Sequence, residues 1–359
     1  ARHEVRSAVA HEQAHRLGLA ALTGCSGPEP AIPQGTAALG DPARPVAAVA
    51  ETIVTTDPEV NADDPVLWAD RADPSRALWI GTDKSDGLYV HNLDGTVRQF
   101  FPDGPLNNVD LREGFVVDGK SYVLIAAAER ARFGIVTYLL DPATLEVKPY
   151  GFIPTDMGEP YGFCMGRRGD AIYLMPNTKA GEARQYRVTA GPQGPAVKLE
   201  RTLKVSSQTE GCVVDDAAQV FYLGEEDVGI WRFDFDPAAP ATPVQVYAVD
   251  RKVLTDDVEG LTIMRDGGRT YLIASSQGDS TYPVWQVDGG AYTYKGRFAV
   301  EGGSIDNVTV TDGIDAWSGP IGPYLEGAIA MHDTDDGDGR QQNYKLVDWR
   351  DVKLALALP

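Results

Sequence analysis

The sequence predicts an all-β protein, a six-bladed β-propeller, on three observations. Six short segments share one pattern, a polar residue, then a small or kinking residue, then an apolar strand, and they recur about every 50 residues. A second run rich in apolar, β-branched and aromatic residues follows each segment. No comparable stretch has the periodicity of a long amphipathic helix. Such repeats are typical of propeller blades, whereas a two-sheet sandwich would not need six equal periods.

Each repeat begins with a segment that we expect to be the innermost strand of a blade. These segments are 64–68, 108–112, 161–165, 210–214, 259–263 and 312–316. The runs that follow, which we expect to form the second strands, are 77–80, 121–126, 171–175, 220–223, 270–274 and 327–331. Because a ring of blades must close, we expect the strand-like stretch 46–56 to pair into the last blade beside 344–349.

A change in composition separates a tail from the repeats. Residues 26–49 are rich in Gly, Pro and Ala, which is typical of a linker. We therefore expect a tail at 1–45, outside the fold, and a propeller domain at 46–359. The apolar stretch 17–25 resembles the end of a bacterial lipoprotein signal, so Cys25 is a candidate for lipid attachment; the alternative is a chance match in a tail.

Charge and residue types exclude several classes of function. The formal net charge is −20, from 32 Lys and Arg against 52 Asp and Glu. Nucleic acids and anionic membranes attract basic surfaces, so neither is an expected partner. No apolar run approaches the length of a transmembrane helix. Beyond the tail only His91 and His332 remain, too few for a His-based zinc site, and phosphatase motifs with a His or Cys nucleophile are missing.

Polar residues recur in phase at two strand edges that a propeller would bring to one face. In an antiparallel blade, the start of the first strand and the end of the second lie at the same edge. The first-strand starts carry Asp63, Asp64, Asn107, Asn108, Tyr161, Glu210, Asp257, Glu259, Asp312 and Asp315. The second-strand ends carry Asp83, Lys84, Glu129, Arg130, Lys179, Glu225, Glu226, Asp227, Gln277 and Asp333.

The two halves of this face differ in charge. Repeats one to three supply Lys84, Arg130 and Lys179, whereas repeats four to six supply carboxylates and an amide. Lys and Arg bind phosphate oxygens, while carboxylate and amide oxygens are ligands of hard cations such as Ca²⁺. Crowded carboxylates repel one another unless a cation neutralises them. The combination predicts phosphate chemistry supported by divalent ions.

Cys164 and Cys212 lie in neighbouring repeats, one residue out of phase. Because successive side chains of a strand point to opposite faces, the two thiols either face each other across the blade interface or point apart. We expect a pair of small buried thiols rather than a disulfide.

The motifs along the repeats resemble those of the β-propeller phytases. The matching stretches run in order through nearly the whole body of the chain: 61–68, 82–88, 107–112, 160–163, 207–211, 225–227, 258–262, 275–278 and 311–315. The resemblance implies a calcium-dependent phosphatase that hydrolyses phytate (myo-inositol hexakisphosphate), free or as its calcium complex, to lower inositol phosphates. It also implies several structural and catalytic Ca²⁺ ions, and a secreted or periplasmic location.

The resemblance assigns roles residue by residue. Lys84, Arg130, Tyr161 and Lys179 are implied to hold substrate phosphates. The implied ligands of the catalytic calcium ions are Asp63, Glu210, Glu226, Asp257, Glu259, Gln277 and Asp312. Asp64 with the carbonyl of Val109 resembles one structural calcium site, and Asp306 with Asp333 and Asp335 resembles another. The chain departs from the family pattern at Asn61, Ala180 and Asn307.

The mechanism that we expect is attack on phosphorus by a calcium-bridged water, which requires no protein nucleophile. We expect the protein to be a monomer. Two other functions remain open at this point. One is a six-bladed calcium-dependent lactonase or esterase, which would need no phosphate clamp; the other is a non-catalytic calcium-binding propeller.

Overall fold

Each repeat folds into one antiparallel sheet, and the six sheets form the blades of a β-propeller. The structure, a computed structural model, describes residues 40–53, 62–334 and 342–359. Two short strands precede the first blade, β1 (Arg44–Val46) and β2 (Ala50–Glu51). Most of the predicted tail, including Cys25, lies outside the described residues, as do Asn61 and Asp335.

The first three blades each contain four consecutive strands. Blade 1 consists of β3 (Ala62–Ala69), β4 (Ala77–Asp83), β5 (Gly87–Asn92) and β6 (Val97–Phe101). Blade 2 consists of β7 (Leu106–Val117), β8 (Lys120–Glu129), β9 (Gly134–Asp141) and β10 (Glu146–Pro154). Blade 3 consists of β11 (Phe163–Arg168), β12 (Ala171–Pro176), β13 (Glu182–Gly191) and β14 (Gly194–Lys204).

The last three blades include the short helices and the C-terminus. Blade 4 consists of β15 (Thr209–Asp215), β16 (Val220–Glu225), β17 (Gly229–Asp234) and β18 (Val244–Ala248). Blade 5 consists of β19 (Val258–Asp266), β20 (Arg269–Ser276), a 3₁₀ turn (Gln277–Asp279), β21 (Tyr282–Asp288) and β22 (Ala291–Val300). Blade 6 consists of β23 (Ile314–Ser318), β24 (Gly327–Asp333) and β25 (Asn343–Asp348), followed by α1 (Trp349–Leu356).

The first strand of each blade lines a central channel. In the order β3, β7, β11, β15, β19 and β23, each strand contacts the next, and β23 contacts β3. These strands surround a cavity of about 280 Å³. Since all six innermost strands run from the same edge, residues at the repeat starts come together at one mouth of the channel.

The N-terminal segment closes the ring. Ala50 and Glu51 of β2 pair with Leu346 and Lys345, so β2 becomes the fourth strand of blade 6. This confirms, at these two residues, the predicted pairing beside 344–349. The preceding strand β1 instead pairs in parallel with β22 and adds a fifth strand to blade 5.

The core lies between neighbouring blades. Strand β4 is buried along its whole length, including Leu78, Trp79 and Ile80. Because other blades cover both faces of such a strand, it has a continuous apolar run rather than an alternating pattern. Each fully buried side chain of this size contributes about 1.5–3 kcal/mol through the hydrophobic effect.

Helix α1 fastens blade 6 to blade 5. Asp348 caps its N-terminus by accepting a hydrogen bond from the Arg350 amide. Trp349 and Val352 are buried in a cluster shared with blade 5, and Trp349 Nε1 donates to Asp266 at 3.2 Å. Within the part of the chain that the structure describes, no helix is long and apolar enough to cross a membrane.

The expectation of two free buried thiols was wrong, because Cys164 and Cys212 form a disulfide between blades 3 and 4. The repeat pattern aligns Gly162 with Gly211, but in the structure Gly162 lies against the backbone of Glu210. This shift by one residue places Cys164 opposite Cys212, with their Cα atoms 5.7 Å apart. The contact between blades, rather than the repeat alignment, decides which side chains meet.

Candidate active site

Antiparallel pairing brings the two sets of in-phase polar residues to one edge. In blade 1, Ala62 pairs with Asp83, so the start of β3 meets the end of β4. Blade 4 repeats this arrangement, with Thr209 paired to Glu225. Polar side chains from the strand starts and strand ends therefore share one mouth of the channel.

Four innermost strands have an irregularity at the candidate site residues. The pairing register shifts in β3, β7, β15 and β19, and the residues it passes over are Asp63, Asp64, Asn107, Asn108, Glu210, Gly211, Glu259 and Gly260. A bulge of this kind bends the strand and re-aims its side chains. Two consecutive residues then escape the strict alternation of a regular strand.

Glycine follows the site residue in several repeats because the next blade leaves no room for a Cβ atom. A Cβ on Gly211 would lie 2.2 Å from the carbonyl oxygen of Glu259. One on Gly313 would lie 2.0 Å from a carboxylate oxygen of Asp64. The small second residue of the repeat pattern thus reflects close contact between neighbouring innermost strands.

Three glutamates form a buried acidic cluster. Carboxylate oxygens of Glu210, Glu226 and Glu259 lie within 4.8 Å of one another. Burial, strengthened by the charge of Asp63, raises the pKa of Glu210 to about 8. Burial also raises the pKa of Glu226 to about 7, and the charge of neighbouring Asp257 adds to this shift. Oε2 of Glu259 has no hydrogen-bond partner among the described residues. This set of oxygens fits a hard divalent cation.

Lys84 joins two carboxylates at the same mouth. Its Nζ lies 2.7 Å from Asp63 Oδ1 and 2.9 Å from Asp312 Oδ2. Burial disfavours the charged amine, but Asp312 and Asp63 outweigh this effect and raise the pKa of Lys84 above its ordinary value. Gln277 donates a hydrogen bond to the other oxygen of Asp312. The backbone amide of Asp312 in turn donates to His332 Nδ1 at 3.0 Å.

Tyr161 lies between two cationic side chains. The Lys179 ammonium is 4.2 Å from the centre of the Tyr161 ring and the Arg130 guanidinium is 5.5 Å from it, both within cation–π range. Arg130 Nε also donates to Glu159 at 2.7 Å. Burial, with the charge of Glu210, raises the pKa of Tyr161, so its phenol stays neutral. The arrangement leaves two fixed positive charges beside a hydroxyl donor.

Asp64 lies beside Val109, the residue whose carbonyl is implied to share a calcium ion with it. Asp64 Oδ2 accepts a hydrogen bond from the Val109 amide at 2.9 Å. Burial and neighbouring Asp63 raise the pKa of Asp64 well above its ordinary value. An additional positive charge would therefore stabilise the ionised carboxylate.

Asp306 and Asp333 contact an internal ammonium. Lys345 Nζ lies 2.8 Å from Asp306, 3.1 Å from Asp333 and 2.9 Å from Glu51, and its side chain is fully buried. Asp335, the third implied ligand, lies outside the described residues. The sequence pattern did not indicate Lys345, because the lysine lies within β25, far along the chain from Glu51. A calcium ion bound to these carboxylates would face the charge of Lys345.

Some acids of the predicted rings accept hydrogen bonds from the turn that directly follows them. Asp83 accepts hydrogen bonds from the Ser85 and Asp86 amides in the turn that follows it. Glu129 does the same for the Ala131 and Arg132 amides. In blades 1 and 2 the acid at this place therefore stabilises the turn after the second strand.

Sequence reasoning assigned no role to three residues that contact the site. Asn107 donates to Glu210 Oε1 at 2.8 Å and accepts from Arg130 Nη1 at 3.2 Å. The sequence did place Asn107 among the polar residues that recur at the first-strand starts, and this could have indicated that it belongs to the site. Glu159 and His332 gave none, since they lie outside the in-phase positions and meet Arg130 and Asp312 only through the fold of the connecting loop and of the blade 6 hairpin.

Comparisons with known proteins agree on one family. A family model described as Phytase matches residues 29–358. A curated 3-phytase from Bacillus subtilis (strain 168) is 35% identical over 322 residues, which cover 86% of this chain and 84% of that protein.

Proposed function

Because the chain belongs to the phytase family and is therefore a phytase, we propose that it releases phosphate from phytate in a calcium-dependent reaction. One observation carries this proposal. The buried cluster of Glu210, Glu226 and Glu259 lies at the same mouth as the cationic groups of Lys84 and Arg130. The site thereby combines oxygen ligands for divalent cations with donors for phosphate oxygens.

The proposed ligands of the catalytic calcium ions are Asp63, Glu210, Glu226, Asp257, Glu259, Gln277 and Asp312. Calcium held there would activate water for attack on phosphorus and neutralise the charge of the phosphate group. In its absence the crowded acids retain protons, which the raised pKa values of Glu210 and Glu226 reflect. We propose that Asp64 belongs to a separate structural site with Val109. We do not propose a calcium site at Asp306 and Asp333, since the Lys345 ammonium already neutralises these carboxylates.

The chain's own cations orient the substrate. Lys84, at the border between the acidic and basic halves, can exchange a carboxylate contact for a phosphate oxygen. Arg130 presents a planar fork that matches two phosphate oxygens, and Lys179 acts as a point charge. Neutral Tyr161 donates one hydrogen bond. These groups hold one phosphate in line for attack and a neighbouring phosphate beside it, and no side chain has to act as a covalent nucleophile.

Electrostatics explain why an acidic protein can receive an acidic substrate. Phytate carries six phosphates, which amounts to a charge of roughly −9 to −12. A protein with a net charge of −20 repels such an ion. Bound divalent cations invert the local field, and the calcium complex of phytate is a less charged ligand. We therefore propose phytate, free or calcium-bound, as the substrate.

The disulfide is consistent with an oxidising compartment, so we propose a secreted or periplasmic location. Lipid attachment at Cys25 is a further proposal, as is a monomeric state. Mass spectrometry of the protein recovered from its host tests lipid attachment, because a lipid on Cys25 changes the mass of the peptide that contains this residue.

The decisive experiment measures phosphate release from phytate with calcium and with a chelator. We expect activity only with calcium, and a loss of activity in Glu226→Gln that excess calcium does not restore. Glu146→Gln, an exposed glutamate on β10, serves as the control and should retain full activity. Full activity in the chelated enzyme would contradict calcium dependence. Lactone opening without phosphate release would instead favour an esterase.

A further inference from the structure

Asn107 connects the two halves of the candidate site. It lies on β7 of blade 2, and Glu210 lies on β15 of blade 4, with blade 3 between them. The hydrogen bond from Asn107 Nδ2 to Glu210 Oε1, at 2.8 Å, therefore joins two blades that are not neighbours. On its other side, Asn107 Oδ1 accepts from Arg130 Nη1 at 3.2 Å. One amide thus contacts both the acidic cluster and the cationic clamp.

Both protons of this amide are used in hydrogen bonds, and its oxygen accepts one. The second proton of Asn107 Nδ2 goes to Asn108 Oδ1 at 3.1 Å. The reversed orientation would place the amino group against the Arg130 guanidinium, which can only donate, so that contact would be repulsive. Arg130 therefore determines the orientation of the amide.

The bulge in β7 allows the side chains of Asn107 and Asn108 to contact each other. Consecutive side chains on a regular strand point to opposite faces, so Asn107 and Asn108 would not meet. The register shift between Leu106 and Val109 covers both residues and brings their side chains into contact. Both are buried, and Asn107 is completely inaccessible to solvent. A buried amide with three satisfied contacts has one stable position.

We propose that Asn107 is a positioning residue that sets the Glu210 carboxylate and the Arg130 guanidinium at a defined separation. A phosphate held by Arg130 would then lie near a cation held by Glu210. This inference rests on the proposed function, because it assumes that Glu210 binds calcium. Asn107 itself need not touch the substrate. Displacement of either charged partner moves the amide and so affects the other partner.

The test compares two buried amides that have the same chemistry. Gln185 on β13 accepts from Arg201 at 3.1 Å, donates to the Phe235 carbonyl at 3.0 Å, and is equally inaccessible to solvent. We expect Asn107→Leu and Gln185→Leu both to lower the melting temperature. Only Asn107→Leu should raise the calcium dissociation constant, measured by calorimetry without substrate, by at least about fivefold, together with the KM for phytate.

A second variant separates positioning from general damage. Arg130→Lys keeps the charge but loses the planar fork that holds Asn107. We expect it to weaken calcium binding in the wild-type background and to have no further effect on calcium in Asn107→Leu. Equal effects in both backgrounds, or unchanged calcium affinity in Asn107→Leu, would overturn the inference while leaving the proposed function intact. A wild-type protein that binds no calcium would overturn the proposed function itself.

Discussion

The ammonium of Lys84, on blade 1, lies 2.9 Å from the carboxylate of Asp312, which precedes the first strand of blade 6. The same ammonium contacts Asp63 within its own blade. Lys84 thus links blade 1 to blade 6 at the mouth that carries the candidate site. Its contacts explain how a lysine keeps its charge although burial disfavours the charged form.

Lys84→Met should reduce kcat/KM for phytate by about 10²–10³, because one preorganised donor to the phosphate is lost. Its effect on thermal stability should be small in saturating calcium, since the metal then neutralises Asp63 and Asp312. Steady-state kinetics and differential scanning fluorimetry measure the two effects. Lys198→Met, at an exposed position on β14, is the control. Unchanged turnover in Lys84→Met would remove Lys84 from the site.

Calcium should stabilise the protein more strongly at higher pH. The folded, metal-free protein holds protons on Glu210 and Glu226 that the unfolded chain would release above the ordinary glutamate pKa. Its free energy of unfolding therefore falls as the pH rises from about 4.5 to about 8. Bound calcium would replace these protons, so the free energy of unfolding would no longer fall over this pH interval. We expect the difference in melting temperature between calcium and chelator to widen over this pH interval, and to widen less in Glu210→Gln. A difference that stays constant with pH would contradict the assignment.

Reduction of the disulfide should destabilise the propeller. The bond joins Cys164 and Cys212, 48 residues apart, and a cross-link of this kind typically contributes about 2–4 kcal/mol. Denaturant unfolding of Cys164→Ala/Cys212→Ala against the parent measures this contribution, with Cys25→Ser as the control. Thiol titration of the unfolded protein should find two more thiols after reduction than before. An equal count before and after would show that the bond is absent.

Lys345→Met should make the closure of blade 6 dependent on calcium. Loss of the buried ammonium leaves Glu51, Asp306 and Asp333 without their cation, which should cost about 3–5 kcal/mol in chelator. Added calcium should recover part of this loss by occupying the vacated position. Urea unfolding with and without calcium measures both quantities. If the variant were as stable as the parent in chelator, Lys345 would have no role in neutralising the cluster.

Much of the candidate site follows from the period of the sequence. Asp64, Glu210, Glu259 and Asp312 occupy the same position in their repeats, and Asp63 directly precedes Asp64, so a ring of blades must bring them to one mouth. The positive charges of Lys84 and Arg130, opposite to those acids, were also predicted from their matching positions at the second-strand ends. The turn acids Asp83 and Glu129 recur just as regularly, however, and periodicity alone did not separate them from site residues.

The amino-acid sequence by itself determined the number of blades, the strand order and the edge at which polar residues gather, because these depend on local strand propensity and on a repeat length. Only the tertiary structure decided which side chains touch. The disulfide, the cation that Lys345 supplies and the link that Asn107 makes between blades 2 and 4 all join residues from different blades or from opposite ends of the chain. Their contacts depend on a one-residue shift between blades, on bulges in the innermost strands and on closure of the ring, and a difference of a few ångströms in any of these changes the partner.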